Sequence, residues 1–190
     1  MIRMLREDDE FSFLWWYNWY ITHSTATFET TPLTDQEFLN RMHTIRKRYP
    51  WIVLEDDDQR LGYAYLNTFN SREAYQWTAD VSIYLAPDKC GYGYGKQLMK
   101  ALIDIAEQDG YYNLVSIVTE GNTASEHLHE SFGFEKKGFF PNFGYKSGQW
   151  HGVTYYVKKL RDPDPDKEPQ PPQNLDPFSQ SKKNRVPIPE

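Results

Sequence analysis

The stretch Val81-Ser82-Ile83-Tyr84-Leu85-Ala86-Pro87-Asp88-Lys89-Cys90-Gly91-Tyr92-Gly93-Tyr94-Gly95-Lys96 carries three instructions in succession. From Val81 to Leu85 apolar residues alternate, the period of a strand with one face in a core. Asp80, Ser82 and Tyr84 then share the other face. Glycines follow at 91, 93 and 95, and Leu98, Ala101, Leu102, Ile105 and Ala106 recur at steps of three and four, as on an amphipathic helix stopped at Gly110. Strand, glycine-rich turn and helix, in that order, present free backbone N–H groups and a positive helix end. An anion is therefore expected at Gly91 to Lys96. Spacing argues against two common nucleotide loops. Gln97 stands where a Walker loop needs Ser or Thr, and Lys96 stands where a Rossmann fingerprint needs its third glycine.

On either side the chain reads as alternating short strands and helices. Residues 2–6 suggest a strand and 9–22 an aromatic-rich helix, and Thr34 with Glu37 forms a capping-box pattern opening a second helix to about Tyr49, where Pro50 stops it. Trp51 to Leu54 and Leu61 to Leu66 flank the polar cluster Asp56-Asp57-Asp58, so an antiparallel hairpin is expected. Leu114 to Val118 reads as a buried strand, Gly121-Asn122 as a loop, and Thr123 to Phe132 as a helix ended by Gly133. Phe134 to Leu160 is strand-like with Gly and Pro interruptions. Residues 161–190 hold 8 of the 12 prolines, so this tail reads as extended or disordered, either a solubilising arm or a proline-rich ligand for another domain.

A chain of 190 residues suits one buried core, and no internal repeat suggests a second. With 21 basic residues spread among 27 acidic ones and a net charge of -6, no basic stripe exists to track a phosphate backbone, so nucleic acid is not an expected partner. The N-terminal stretch lacks an uninterrupted apolar run of ~18 residues, so no membrane span is expected there. The single cysteine, Cys90, forms no internal disulfide and joins no Cys/His cluster of metal-ligand spacing; a reducing cytoplasm and no metal are expected. The 14 Tyr and 6 Trp favour an aromatic-walled cleft or a homodimer surface.

The glycine segment resembles the pyrophosphate-binding pattern of the GNAT acyl-CoA N-acyltransferases, (Gln or Arg)-x-x-Gly-x-(Gly or Ala). Gly93 and Gly95 match, while Cys90 stands at the position where Gln or Arg is usual. Backbone amides supply most of that binding, and Lys89 and Lys96 can add charge. Further stretches are similar to the phosphinothricin acetyltransferase subfamily over about residues 2–160. These are Ser24-Thr25-Ala26-Thr27-Phe28 with Pro32, Arg48 to Trp51, Arg72 to Asp80, His129-Glu130-x-x-Gly133-Phe134, and Gly144 to His151.

The resemblance implies an α+β fold, a single GNAT-type domain over residues 1–160 whose mixed, mostly antiparallel twisted sheet is flanked by helices. It implies transfer of acetyl from acetyl-CoA to the primary amine of a small molecule, an amino acid or an analogue of the phosphinothricin or methionine sulfoximine type, by a homodimer. Asp80 takes the place of the carboxylate base, and His129 replaces the tyrosine that many relatives use to protonate the leaving thiolate; acid and base roles both stay open. A backbone N–H near Leu85 is the expected oxyanion donor. The cofactor-binding set is Ile83, Tyr84, Leu85, Cys90, Gly91, Tyr92, Gly93, Tyr94, Gly95, Lys96, Asn122 and Ser125. Asn122, Ser125 and His129 are spaced to line one helix face. Phe28, Arg72, Tyr75 and Lys146 are the expected substrate contacts, with Arg72 suited to a carboxylate or phosphinate. Herbicide-inactivating members carry a basic residue after the matching phenylalanine, whereas this chain has Glu29. His127 and His151 read as surface or packing residues. Two other functions remain, acetylation of a peptide or protein N-terminus and a non-catalytic acyl-CoA sensor.

Overall fold

The computed structural model describes residues 1–6, 9–57 and 59–175. Seven strands form one sheet in the order β1-β2-β3-β4-β5-β7-β6: β1 (Ile2–Met4), β2 (Trp51–Asp56), β3 (Gln59–Thr68), β4 (Thr78–Leu85), β5 (Asn113–Thr119), β6 (Glu135–Lys146) and β7 (Gln149–Lys159). All neighbours pair antiparallel except β4 and β5, which are parallel because helix α3 (Tyr94–Asp109) carries the chain between them. The expected α+β class and mostly antiparallel sheet are what the chain forms.

Alternation along the strands sorts the core into two layers. Trp51, Tyr63, Tyr65 and Tyr84 face helices α1 (Glu10–His23) and α2 (Asp35–Arg46), where Trp51 stacks on Tyr65 at 4.2 Å and Tyr63 meets Phe13 at 4.6 Å. Phe13, Trp16, Tyr17 and Ile21 are the buried stripe of α1, at helical spacing. On the other face Leu98, Met99, Leu102 and Ala106 of α3 are fully buried, and Leu128 of α4 (Thr123–Ser131) reaches Gly95. The capping box is present: the Thr34 hydroxyl accepts from the Glu37 N–H at 3.3 Å, and the Glu37 carboxylate accepts from the Thr34 N–H at 2.8 Å. Helix α2 ends three residues before Tyr49, since a residue preceding proline is pushed out of helical backbone. The β6–β7 turn uses Ser147 and Gly148, both at positive φ, as a two-residue hairpin turn of matching twist requires.

Residues 161–175 form no helix or strand. They lie along the end of the sheet away from the glycine loop, held by the Trp77 indole N–H to the Gln170 carbonyl at 2.8 Å and by the Gln173 N–H to the Asp109 carbonyl at 2.8 Å. The rest of the proline-rich stretch, 176–190, and Asp58 of the acidic turn cluster lie outside the described residues.

A buried ion network ties β1 to α1 and β2. Arg3 grips Asp9 with two hydrogen bonds of 2.7 and 2.8 Å and donates to Glu55 at 2.7 Å, and Arg60 adds a contact to Asp9 at 2.5 Å. Asp9 has no exposed surface. Burial alone would raise its carboxyl pKa, but the hydrogen bonds from Arg3, Arg60 and the Arg6 N–H hold it below the usual range. Replacing Arg3 by leucine leaves two buried carboxylates short of a partner, so Arg3→Leu is expected to cost about 3–5 kcal/mol in urea unfolding at pH 7. The native contribution of Asp9 is lost as pH falls through its lowered pKa, below the usual carboxylate range, so the penalty shrinks there.

Candidate active site

The parallel ladder between β4 and β5 is three residues long: Thr78 opposite Asn113, Ala79 opposite Leu114 and Asp80 opposite Val115. Beyond Asp80 the strands diverge. Ala86 N–H bonds to the Leu61 carbonyl at 2.9 Å, and the alternation this sets along β4 turns the backbone groups of Tyr84 and Ser82 toward β3. Those of Val81, Ile83 and Leu85 therefore turn toward the gap. One of them is claimed from the side, as the Tyr20 hydroxyl donates to the Leu85 carbonyl at 3.0 Å.

A cavity of about 1300 Å³ fills this gap and continues to the start of α3. Its lining includes Ile83, Tyr84 and Leu85 of β4, Cys90, Gly91, Gly93, Gly95 and Lys96 of the glycine segment, and Asn122, Ser125 and His129 around α4. Gly91 and Gly93 sit at φ 87° and 84°, which L side chains rarely adopt, and nothing lies within 4 Å of where a Cβ would be. Gly93 is the N-cap of α3, with no side-chain cap and no acidic residue in the first turn. The Lys96 and Gln97 N–H groups fold back to the Gly93 carbonyl, so those of Tyr94 and Gly95 have no backbone partner among the described residues. An uncapped helix start facing an open cavity is a site for an anion.

Asp80 stands where the strands part. Burial raises its carboxyl pKa to about 7. It lines the large cavity and also a second one of about 610 Å³, bounded by Glu29, Arg41 and Thr44 on one side and Tyr65, Asn67 and Ser82 on the other. Across the large cavity, the Asn122 side chain accepts from the Ser125 N–H at 3.3 Å and so starts α4. One turn on, the Ser125 carbonyl lies 2.7 Å from Nδ1 of His129. A carbonyl only accepts, so Nδ1 carries the proton and Nε2 keeps a lone pair. That Nε2 is buried with no hydrogen-bond partner. Burial, outweighing the Ser125 hydrogen bond, lowers the imidazole pKa, so the ring is neutral at pH 7.

The remaining expected residues lie elsewhere. Tyr92 is exposed with its ring 6.1 Å from that of Tyr94, and neither lines the large cavity. Phe28 packs over Gly144, where a Cβ would come within 2.2 Å of its ring. Lys146, buried, donates to the Thr27 carbonyl at 2.6 Å, and Thr119 donates to the Thr25 carbonyl at 2.7 Å. Phe28 and Lys146 thus fasten the segment between α1 and α2 over the gap without lining either cavity themselves. Arg72 is exposed beside a 3-10 turn, and Tyr75 is exposed with its ring edge-on to Phe69.

Other lining residues were not among the expected site contacts. His127 and His151 both line the large cavity, and the His151 Nε2–H donates to the Lys146 carbonyl at 3.0 Å. Glu29 and Arg41 face the second cavity as an ion pair 2.5 Å long. The available signal for Arg41 was a charge beside the buried stripe Phe38, Met42 and Ile45.

Residues 2–154 match the family described as acetyltransferase (GNAT) domain. The chain belongs to the GNAT acetyltransferase family. It is 36% identical over 161 residues to a phosphinothricin N-acetyltransferase of Alcaligenes faecalis, covering 84% of this chain and 82% of that one. It is 34% identical over 149 residues to an L-methionine sulfoximine/L-methionine sulfone acetyltransferase of Pseudomonas aeruginosa, covering 76% and 85%. Its fold superposes on a GNAT phosphinothricin acetyltransferase of Sinorhizobium meliloti in complex with acetyl-CoA, with a TM-score of 0.84 and 29% identity, over 90% of this chain and 92% of that one. In this GNAT member the raised pKa of Asp80 has a cost to stability. A folded-state carboxyl that titrates at about 7 rather than at its ordinary 3.8 makes the protein less stable as pH rises through that window. Asp80→Asn is therefore expected to raise the thermal midpoint by roughly 2–6 °C at pH 8 and to give no gain at pH 4 by scanning calorimetry.

Proposed function

We propose that this GNAT protein transfers acetyl from acetyl-CoA to the primary amine of a small amino acid or analogue, of the phosphinothricin and methionine sulfoximine kind on which its relatives act. The observation that carries this reading is the position of Asp80, a carboxyl titrating near neutrality on the face of β4 that a cavity with a phosphate-type helix end shares with a second polar cavity. The cofactor suits the larger cavity. Its pyrophosphate needs the free N–H groups of Tyr94 and Gly95 and the close approach left by Gly91 and Gly93, and its pantetheine arm needs the unpaired edge of β4. Lys96 adds charge there, and Cys90, exposed and 3.5 Å from the Tyr20 hydroxyl, leaves the binding to the backbone.

The chemistry then divides among this chain's own groups. Acetyl-CoA supplies the thioester; the new bond joins its carbonyl carbon to nitrogen, and the carbon–sulfur bond breaks. An amine arriving as ammonium sheds two protons along the way, so two acceptors are required. Asp80, which reaches the second cavity, takes the first proton and leaves a neutral nucleophile. The backbone N–H of Leu85, turned into the gap, holds the oxygen on which negative charge grows. His129, neutral with its Nε2 lone pair free, takes the second proton and then gives it to the departing sulfur. Base first and acid afterwards is the order that a buried neutral imidazole allows. Much of the acceleration comes from holding amine and thioester together at the strand gap.

Residues 1–160 are the catalytic body in this reading, and the single exposed thiol of Cys90 suits a reducing cytoplasm. A homodimer is the working unit. Phe140 with Phe143 on β6, rings 5.1 Å apart, and Tyr145 with Trp150 at its hairpin end, rings 5.4 Å apart, leave exposed aromatic pairs on an edge strand, which a second copy would cover. Phe143→Glu with Trp150→Glu is expected to halve the mass seen by light scattering; an unchanged mass would place the interface elsewhere.

Activity tests the mechanism directly. Asp80→Ala and His129→Ala are expected to lower kcat roughly 10²–10⁴-fold in a thiol-release assay, with acetyl-CoA affinity nearly unchanged, because neither group touches the pyrophosphate. In the native protein kcat/KM should rise with pH through about 7 as Asp80 loses its proton. Full turnover in both variants would sink the mechanism.

A further inference from the structure

The second cavity has an ionisable lining that none of the expected substrate contacts explains. Besides Asp80 it holds one carboxylate, Glu29, and one cation, Arg41, whose Nη2 meets Oε1 of Glu29 at 2.5 Å and whose guanidinium lies 5.3 Å from the centre of the Tyr17 ring. The other oxygen, Oε2, is shielded from water and has no hydrogen-bond partner. A buried carboxylate oxygen left without a donor is unfavourable, and a ligand N–H would satisfy it. The terminal torsion of glutamate is soft, so a small rotation lets Arg41 keep one oxygen while a ligand takes the other. Arg41 has further N–H groups in the same place and asks for an acceptor. The pair is therefore complementary to a head that offers a donor and an acceptor side by side and carries no charge.

We propose that Glu29 and Arg41 select the far end of the amine substrate. A sulfoximine, with adjacent N–H and oxygen, or a primary carboxamide is taken in preference to a sulfone or a phosphinate. A sulfone brings two acceptors and leaves the Glu29 oxygen unmet. A phosphinate places a negative charge against Glu29, and the cation that would favour it is already neutralised. This inference rests on the small-amine acetyltransferase reading and narrows its substrate.

The test is kcat/KM for thiol release from acetyl-CoA with four acceptors that share an α-amino acid end: methionine sulfoximine, methionine sulfone, glutamine and phosphinothricin. The first two differ by one N–H for one oxygen, so size cancels. Sulfoximine is expected to exceed sulfone by about ten- to a hundredfold, as for a hydrogen bond to a charged group, and glutamine to exceed phosphinothricin. Glu29→Gln, whose amide donates to a sulfone oxygen, should bring the sulfoximine-to-sulfone ratio within about threefold, with acetyl-CoA affinity unchanged. Equal rates for sulfoximine and sulfone in the native protein overturn the proposal whether or not the variant folds, and so does a ratio that Glu29→Gln leaves unmoved. Silence with all four acceptors while acetyl-CoA still binds is a different result: it overturns the small-amine reading itself, and this inference with it.

Discussion

Between β4 and β5 only Thr78, Ala79 and Asp80 find partners before the strands part. A sheet interior that opens in this way leaves backbone donors and acceptors needing other company, because unpaired peptide groups away from water are costly. Part of that company is internal, in the Tyr20 hydroxyl on the Leu85 carbonyl. The rest of the opened edge is available to an extended ligand, which can bond to it as a strand would. The opening is held from both sides. Toward β3, Gly62 lets Leu85 and Tyr84 approach to distances that a Cβ would forbid. Toward β5, α3 must travel over the sheet before the chain returns, and its start is left beside the gap.

Burial then sets the chemistry at the mouth of that gap. It pushes one acid up to about 7, poised to exchange a proton near neutrality, and one imidazole down, so that the ring is neutral. The two shifts share a cause but differ in support. His129 has its tautomer fixed by the Ser125 carbonyl, a contact within its own helix, whereas the Asp80 shift comes from desolvation. A carboxyl in that state favours activity at the expense of the fold, a common tension at sites built for proton transfer. The buried Arg3–Asp9–Glu55 network, far along the chain order, shows the opposite arrangement, in which every charge is met by another and the carboxyl stays ionised.

The segment between α1 and α2 links the strand gap to the second cavity. Lys146 and Thr119 clamp its carbonyls, Phe28 seats on Gly144, and Glu29 follows at once with its carboxylate in the second cavity. Lys146 is buried, loss of solvent lowers its pKa, and its side chain is committed to the Thr27 carbonyl. Its role is to position the segment. Arg41 reaches the same place from α2, three residues after Phe38 and one before Met42, as a charge at the margin of an apolar stripe.

Much of this was legible along the chain because it is local. Alternation marked β4, a 3–4 spacing marked α3, Thr34 with Glu37 marked the start of α2, and glycines at 91 and 93 marked backbone that other residues rarely adopt. The stripe Asn122, Ser125 and His129 was equally legible, since helical periodicity brings residues three and four apart onto one face. Arg72 and Tyr75, singled out for their chemistry, stand exposed outside both cavities, while Glu29, Arg41, His127 and His151 line them. Side-chain type alone carries no information about which loop ends meet. The sequence by itself determined the elements, the glycine-rich turn and the acid and imidazole to watch, because each depends on neighbours within a few residues. Only the tertiary structure decided where β4 and β5 part, how far burial shifts Asp80 and His129, and that Glu29 meets Arg41, because these depend on packing between segments distant along the chain.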